Sequence, residues 1–118
     1  MVAVVDDDRS ILRSLEYLLE SADYAVRLFT SSAELLDSGC LSHIACLISD
    51  VDMPGMDGFE LSRLVRALRP GLPVILITGY PERLARFSLS SRDEVRLFTK
   101  PFHGPELLEA VSKALSGS

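Results

Sequence analysis

A chain of 118 residues is long enough for one domain with a sizeable core and too short for several. Its 47% hydrophobic and 25% charged residues are the balance of an ordinary soluble globular protein, and a net charge of −5 argues against nucleic acid as a direct partner of this segment. No apolar run reaches the length of a membrane span, and no basic region precedes an apolar one as in a signal peptide.

Strand-like and helix-like segments alternate along the chain. Val2–Val5 reads as a strand and Arg9–Ala22 as a helix, with Asp8 as its cap and Ile11, Leu12, Leu15, Leu18 and Leu19 on one face. Tyr24–Phe29 reads as a short strand. Ser31–Asp37 reads as a short helix with Ser31 and Glu34 at capping-box spacing and Gly39 at its end. Ile44–Ser49 is apolar up to its last residue, as expected of a strand buried on both faces in a parallel sheet. A helix follows over Phe59–Leu68, ended by Arg69-Pro70-Gly71, then a second fully apolar strand over Pro73–Thr78. Glu82–Leu89 reads as a poorly marked helix, Val95–Thr99 as the last strand, and Glu106–Leu115 as the last helix with Pro105 near its start. Five strands alternating with five helices predict an α/β fold: a doubly wound parallel sheet with helices on both faces. One domain spans 1–118. Its end at Leu115-Ser116-Gly117-Ser118 fits either a natural terminus or a cut before a further domain.

Polar residues fall where the apolar strands stop. Asp6, Asp7 and Asp8 follow the first strand and Asp50 follows the third, so two strands deliver carboxylates to one edge of the sheet. In open α/β sheets that edge is where ligands bind. Like charges this close repel, and a bound Mg²⁺ resolves the repulsion because it takes oxygen ligands and needs few carboxylates. Thr78 ends the fourth strand and Lys100 follows the fifth. A hydroxyl and an ammonium beside carboxylates suit a phosphoryl group, with a carboxylate as nucleophile and the cations neutralising the phosphoryl oxygens.

Four segments carry a resemblance over essentially the whole chain: Val4-Val5-Asp6-Asp7-Asp8, Ser49 through Gly58, Ile77-Thr78-Gly79 and Lys100-Pro101-Phe102. Together, in this order, they resemble the receiver domain of two-component response regulators, with loop wording similar to the nitrogen-fixation, nodulation and nitrate-response type. The resemblance implies a flavodoxin-like sheet of order 2-1-3-4-5, the topology for which chemotaxis receivers are a standard example. It implies Asp50 as the phosphoacceptor and Asp7 as a direct Mg²⁺ ligand. Asp6 acts largely through a bound water, and the backbone carbonyl of Asp52 is a third protein ligand. Thr78 is the switch hydroxyl, Lys100 the lysine that pairs with the phosphoryl group, and Pro101 a proline commonly cis. The implied partners are a sensor histidine kinase or phosphotransfer protein. A further surface, formed by the fourth helix, fifth strand and fifth helix, would bind an effector or a second copy of the chain. The implied role is a cytoplasmic bacterial signalling switch, not an enzyme beyond assisting its own phosphorylation and hydrolysis. Any regulation of transcription would run through a domain outside this chain.

Three departures stand out. The position three residues before the lysine, usually aromatic in the family, is Leu97; the aromatic is then either absent or supplied by a local shift that re-aims Phe98, because adjacent strand residues face opposite ways. The stretch Ser88–Glu94 is atypical. Asp52 and Tyr80, two past the acceptor and two past the threonine, occupy positions that the resemblance implies tune dephosphorylation; an acidic Asp52 would either repel the phosphoryl group or position water.

Other residues carry plainer expectations. Asp8 is a helix cap, and Asp57-Gly58 is turn chemistry. His43 and His103 are exposed loop residues, and Arg63, Arg66 and Arg69 form a solvated helix face. Cys40 and Cys46 form no metal pattern and no disulfide framework, and Cys46 serves as a small buried hydrophobe. Two rival functions stand beside the switch. One is a degenerate receiver acting as a phosphorylation-independent interaction module. The other is a haloacid-dehalogenase-like phosphatase, in which Asp50-Val51-Asp52 is the DxD start and Asp52 a general acid/base.

Overall fold

The computed structural model describes residues 1–80, 82 and 95–116. In chain order it contains β1 (Val2–Val5), α1 (Arg9–Ser21), β2 (Val26–Phe29), α2 (Ser32–Ser38), a 3₁₀ turn (Leu41–His43), β3 (Cys46–Asp50), α3 (Gly58–Leu68), β4 (Val74–Thr78), β5 (Val95–Thr99) and α4 (Gly104–Leu115). The strands form one parallel sheet in the order β2-β1-β3-β4-β5, as expected. The helix expected over Glu82–Leu89 and the atypical stretch Ser88–Glu94 lie outside the described residues, apart from Glu82.

The three inner strands are apolar on consecutive residues because both of their faces are covered. Every residue of β1, β3 and β4 is buried. One face carries Val5, Leu47, Val74 and Leu76 against Leu35 of α2 and Phe59, Leu61 and Val65 of α3. The other carries Val4, Ile48, Ile75 and Ile77 against Leu12, Leu15 and Leu19 of α1 and Leu107, Ala110 and Val111 of α4. The sheet therefore separates two cores of branched aliphatic side chains, each of which gains stability roughly in proportion to the apolar area it removes from water.

Element boundaries shift where local hydrogen bonding overrides the hydrophobic pattern. β2 begins at Val26, not Tyr24, because Asp23 takes a left-handed conformation (φ 68°) and the Tyr24 amide still bonds back to the Leu19 carbonyl at 3.1 Å. The apolar run at 44–49 does not become strand at once. His43 N–H closes a turn on the Cys40 carbonyl at 2.8 Å, and β3 runs from Cys46 through Asp50. Gly39, at φ 75°, ends α2 in the left-handed conformation that glycine adopts without strain. Ser31 caps α2 by accepting from the Glu34 amide, but the Glu34 carboxylate bonds the Thr30 amide (2.7 Å), so the expected box is displaced by one residue.

Arg69 departs from the solvated face expected of it. Its guanidinium donates to the Leu41 carbonyl at 2.8 Å and the Ile44 carbonyl at 2.6 Å, fastening the end of α3 to the entry of β3. Cys40 and Cys46 are both buried and free, and burial pushes the Cys46 thiol up to about 12, which fits an inert packing residue. Among the described residues, no helix is long and apolar enough to cross a membrane.

Candidate functional site

Register brings the acidic residues together. β1 pairs with β3 so that Val5 lies opposite Ser49, and the residue that follows each, Asp6 just after β1 and Asp50 at the end of β3, comes out at the same carboxyl edge. Val51 prolongs the β3–β4 pairing through its amide bond to Ile77 (2.8 Å), which holds Asp50 within regular backbone. The chain leaves β1 through Asp7 and enters α1, whose N-terminus is capped by Asp8: its carboxylate accepts from the Ser10 amide at 2.9 Å and the Ile11 amide at 3.4 Å. The Ser10 hydroxyl, donating to the same carboxylate at 2.7 Å, and then the Ser10 amide hold the Asp8 carboxyl below its usual range. Asp8 is thus committed to the helix, as expected.

Carboxylate oxygens of Asp6, Asp7 and Asp50 lie within 4.8 Å of one another. Asp6 is 2% exposed and Asp50 4% exposed, whereas Asp7 is open to solvent. Burial raises the Asp6 carboxyl to about 6, against the lowering effect of the Asp8 amide that donates to its Oδ1 at 2.9 Å; the neighbouring Asp50 charge pushes it further up. Burial likewise raises Asp50, opposed by Lys100.

Lys100 enters this cluster from the far end of the sheet. Its Nζ is 3.1 Å from Asp50 Oδ1 and 3.5 Å from Asp6 Oδ2. Partial burial works against the ammonium, but the two carboxylates outweigh it and hold its pKa above the ordinary lysine value. The Lys100 backbone amide donates to the Thr78 carbonyl at 2.8 Å, which fixes the lysine beside β4, and the Lys100–Pro101 peptide is cis.

This donor set fits a hard divalent cation of the Mg²⁺ type. All its ligand atoms are oxygens, and they converge from two backbone segments. Asp50 Oδ1 is buried and touches Lys100 as an ion pair without completing a hydrogen bond.

Thr78 does not join the cluster. Fully buried at 0% exposure, its hydroxyl donates to Asp52 Oδ2 at 2.6 Å and accepts from the Tyr80 amide at 3.0 Å. The Gly79 amide donates to the same Asp52 oxygen at 3.2 Å. The Asp52 side chain thus ties the loop after β3 to the end of β4.

The question at Leu97 and Phe98 resolves in favour of a regular strand. Leu97 pairs with Leu76 and Phe98 with Ile77, without a bulge. Leu97 packs on the core of α2 and α3, and Phe98 on the opposite core. No local shift re-aims Phe98, so the position three before Lys100 is aliphatic. His43 and His103 are exposed, as expected.

Gly58 is the residue that sequence reasoning undervalued. A Cβ there would overlap the Asp50 carbonyl oxygen and lie 2.8 Å from the Val51 Cα, so α3 starts in direct backbone contact with the strand that carries Asp50. The Gly58 amide donates to the Val51 carbonyl at 3.0 Å. Asp57 is not mere turn chemistry: it accepts from the Glu60 amide at 2.9 Å while Glu60 accepts from the Asp57 amide at 3.1 Å, a complete capping box. The spacing Asp57-Gly58-Phe59-Glu60 carries that signal in the sequence.

Comparison with known proteins agrees with this geometry. Residues 2–112 match the response regulator receiver domain. The chain is 34% identical over 115 residues to the response regulator protein TodT of Pseudomonas putida, a match covering 98% of this chain and 51% of TodT. It is 36% identical over 120 residues to the transcriptional regulatory protein FixJ of Azorhizobium caulinodans, covering 99% of this chain and 56% of FixJ. The chain thus spans about half the length of these relatives. Among solved structures, a CheY-like response regulator receiver domain protein from Methanospirillum hungatei JF-1 superposes with a TM-score of 0.84 at 30% identity, covering 98% of this chain and 92% of that one. With its sheet order, its acidic edge and these matches in agreement, the chain belongs to the response regulator receiver family.

Proposed function

We propose that Asp50 accepts a phosphoryl group from the phosphohistidine of a sensor kinase or phosphotransfer protein, and that the chain is the input half of a longer regulator. The observation that carries this is the convergence of Asp6, Asp7 and Asp50 with Lys100 at the carboxyl edge of the sheet. A carboxylate oxygen of Asp50 attacks phosphorus, the P–O bond forms, and the P–N bond to the donor imidazole breaks. The imidazole leaves with the electron pair and is protonated.

Lys100 opposes the upward shift that burial gives the Asp50 carboxyl and offers its ammonium to the phosphoryl oxygens. Asp6, Asp7 and the Asp52 backbone carbonyl, with Asp50, would hold Mg²⁺, which when bound neutralises charge on the transferred group. Thr78 stands at the end of β4 as a hydroxyl donor for the phosphorylated state. The relative FixJ is named a transcriptional regulator, and an output of that kind lying outside residues 1–118 is the effector we propose. The end of β5, where Lys100 sits, belongs to the surface through which the change would pass to an effector or a second copy.

The phosphatase alternative loses support because Asp52, its general acid/base, has Oδ2 occupied by Thr78 and Gly79. The deciding experiment is intact mass after incubation with acetyl phosphate and Mg²⁺, beside Asp50→Asn and a metal-free sample. The expected result is one phosphoryl adduct, lost in both controls. A folded protein without adduct at saturating Mg²⁺ would favour the interaction-module alternative.

A further inference from the structure

The Asp52 side chain is not explained by metal binding or by phosphoryl transfer. Its backbone carbonyl is the group assigned to the metal, while its carboxylate faces β4 and takes the Thr78 hydroxyl at 2.6 Å. A hydroxyl has one proton to donate. In this structure that proton is committed to Asp52, and the same oxygen is held in place by the Gly79 amide at 3.2 Å. The Tyr80 amide fixes the hydroxyl from the acceptor side at 3.0 Å. Thr78 is fully buried, so bulk water does not compete for this proton.

We propose that Asp52 is a positioning residue that holds the Thr78 hydroxyl in the unphosphorylated arrangement, so that Thr78 turns to the phosphoryl group only by giving up its bond to Asp52. This inference rests on the phosphoryl-acceptor role of Asp50. It is distinct from both effects open to an acidic residue at this position, repulsion of the phosphoryl group and orientation of water. Each of those acts without Thr78, whereas the exchange of hydrogen bonds requires it. The competition is between two anionic acceptors for one donor, so its effect appears in the equilibrium between the two arrangements.

The test is a double-mutant cycle read by calorimetric titration of beryllofluoride, a phosphoryl mimic, at saturating Mg²⁺. Asp52→Ala leaves the backbone carbonyl in place and removes the competing acceptor. It should raise beryllofluoride affinity roughly tenfold, the scale of one hydrogen bond to a charged group. In a Thr78→Ala background the same substitution should leave affinity within about twofold of its parent, because no donor remains to be released. Asp52→Asn keeps an acceptor oxygen without the charge and should stay within about threefold of the unsubstituted chain. Equal gains in both threonine backgrounds, equal gains for Ala and Asn, or no gain for Ala would each overturn the proposal. Circular dichroism establishes that each variant is folded, and Asp52→Leu, which fills the volume without an acceptor, replaces Asp52→Ala should the latter not fold. Failure of the unsubstituted chain to bind beryllofluoride would remove the acceptor role of Asp50, and this inference with it. Binding with an additive cycle would remove the Asp52 role alone.

Discussion

Lys100 reaches Asp50 across an intervening strand: its Nζ lies 3.1 Å from Asp50 Oδ1, although β4 separates the strands that carry them. It then extends to within 3.5 Å of Asp6 on the far side of β3. One flexible ammonium therefore compensates two buried carboxylates, and a metal ion bound here would share them with it.

That sharing makes a definite prediction for Lys100→Met, which keeps the aliphatic stem and deletes the charge. Two buried carboxylates lose their cation, and metal-free stability at neutral pH should fall by about 2 kcal/mol, less than for a fully buried pair because the lysine is partly exposed. Mg²⁺ affinity should rise severalfold, since a competing cation is gone. Urea unfolding with and without Mg²⁺ checks both; a variant with unchanged stability and weaker Mg²⁺ binding would contradict the arrangement.

The acidic pocket should also give metal-free protein an unusual pH dependence. The Asp6 carboxyl is raised to about 6 from 3.8, and Asp50 is raised as well. Between those values the folded state binds more protons than the unfolded state. The contribution of these groups to stability is therefore present at low pH and declines as pH rises through about 6. The decline should be on the order of 1–3 kcal/mol from pH 4.5 to 7.5, and Mg²⁺ at neutral pH should reverse it by binding the deprotonated pocket. In Asp6→Asn this pH slope should flatten in denaturant titrations; an unchanged slope would assign it to other groups.

Gly58→Ala should act as a backbone substitution. The added methyl meets the Asp50 carbonyl and the Val51 Cα, neither of which is a flexible side-chain end. Stability should drop by about 2–3 kcal/mol, the scale of overpacking a tight contact. Mg²⁺ binding should weaken in parallel because the strain falls on the backbone of Asp50. Chemical denaturation and Mg²⁺ titration of the same sample make the comparison.

Asp57→Ala removes half of a capping box and touches no carboxylate of the pocket. It should cost about 1 kcal/mol and leave the acetyl phosphate adduct unchanged in yield at saturating Mg²⁺. Loss of the adduct in a folded Asp57→Ala protein would mean that the cap does more than start α3.

Much of this was readable from residue order. Unbroken apolar runs at 2–5, 44–48 and 74–77 correctly announce inner strands, and the carboxylates behind two of them announce the pocket. Edges were less legible: Tyr24 reads as strand, but after the left-handed Asp23 its amide still bonds back to Leu19. Contacts between distant segments were not legible at all. Neither the Arg69 clasp on Leu41 and Ile44 nor the direction of the Asp52 carboxylate has a local signature. Each depends on which loops the sheet order makes neighbours. Leu97 and Phe98 show the same limit in reverse, since alternation predicted opposite faces and only the unbroken register excluded a shift.

The amide of Lys100 donates to the carbonyl of Thr78 at 2.8 Å, so the backbone at the end of β4 is joined directly to the residue after β5, like two ends of one lever. A displacement of the Thr78 backbone would reach the end of β5 through this bond, without passing through any side chain. A protein that grips this rim from outside therefore handles the same lever from its other end. By reciprocity, whatever factor phosphorylation adds to that grip, the grip returns to the equilibrium favouring the phosphorylated form. The output would in this way help decide how readily the input is charged.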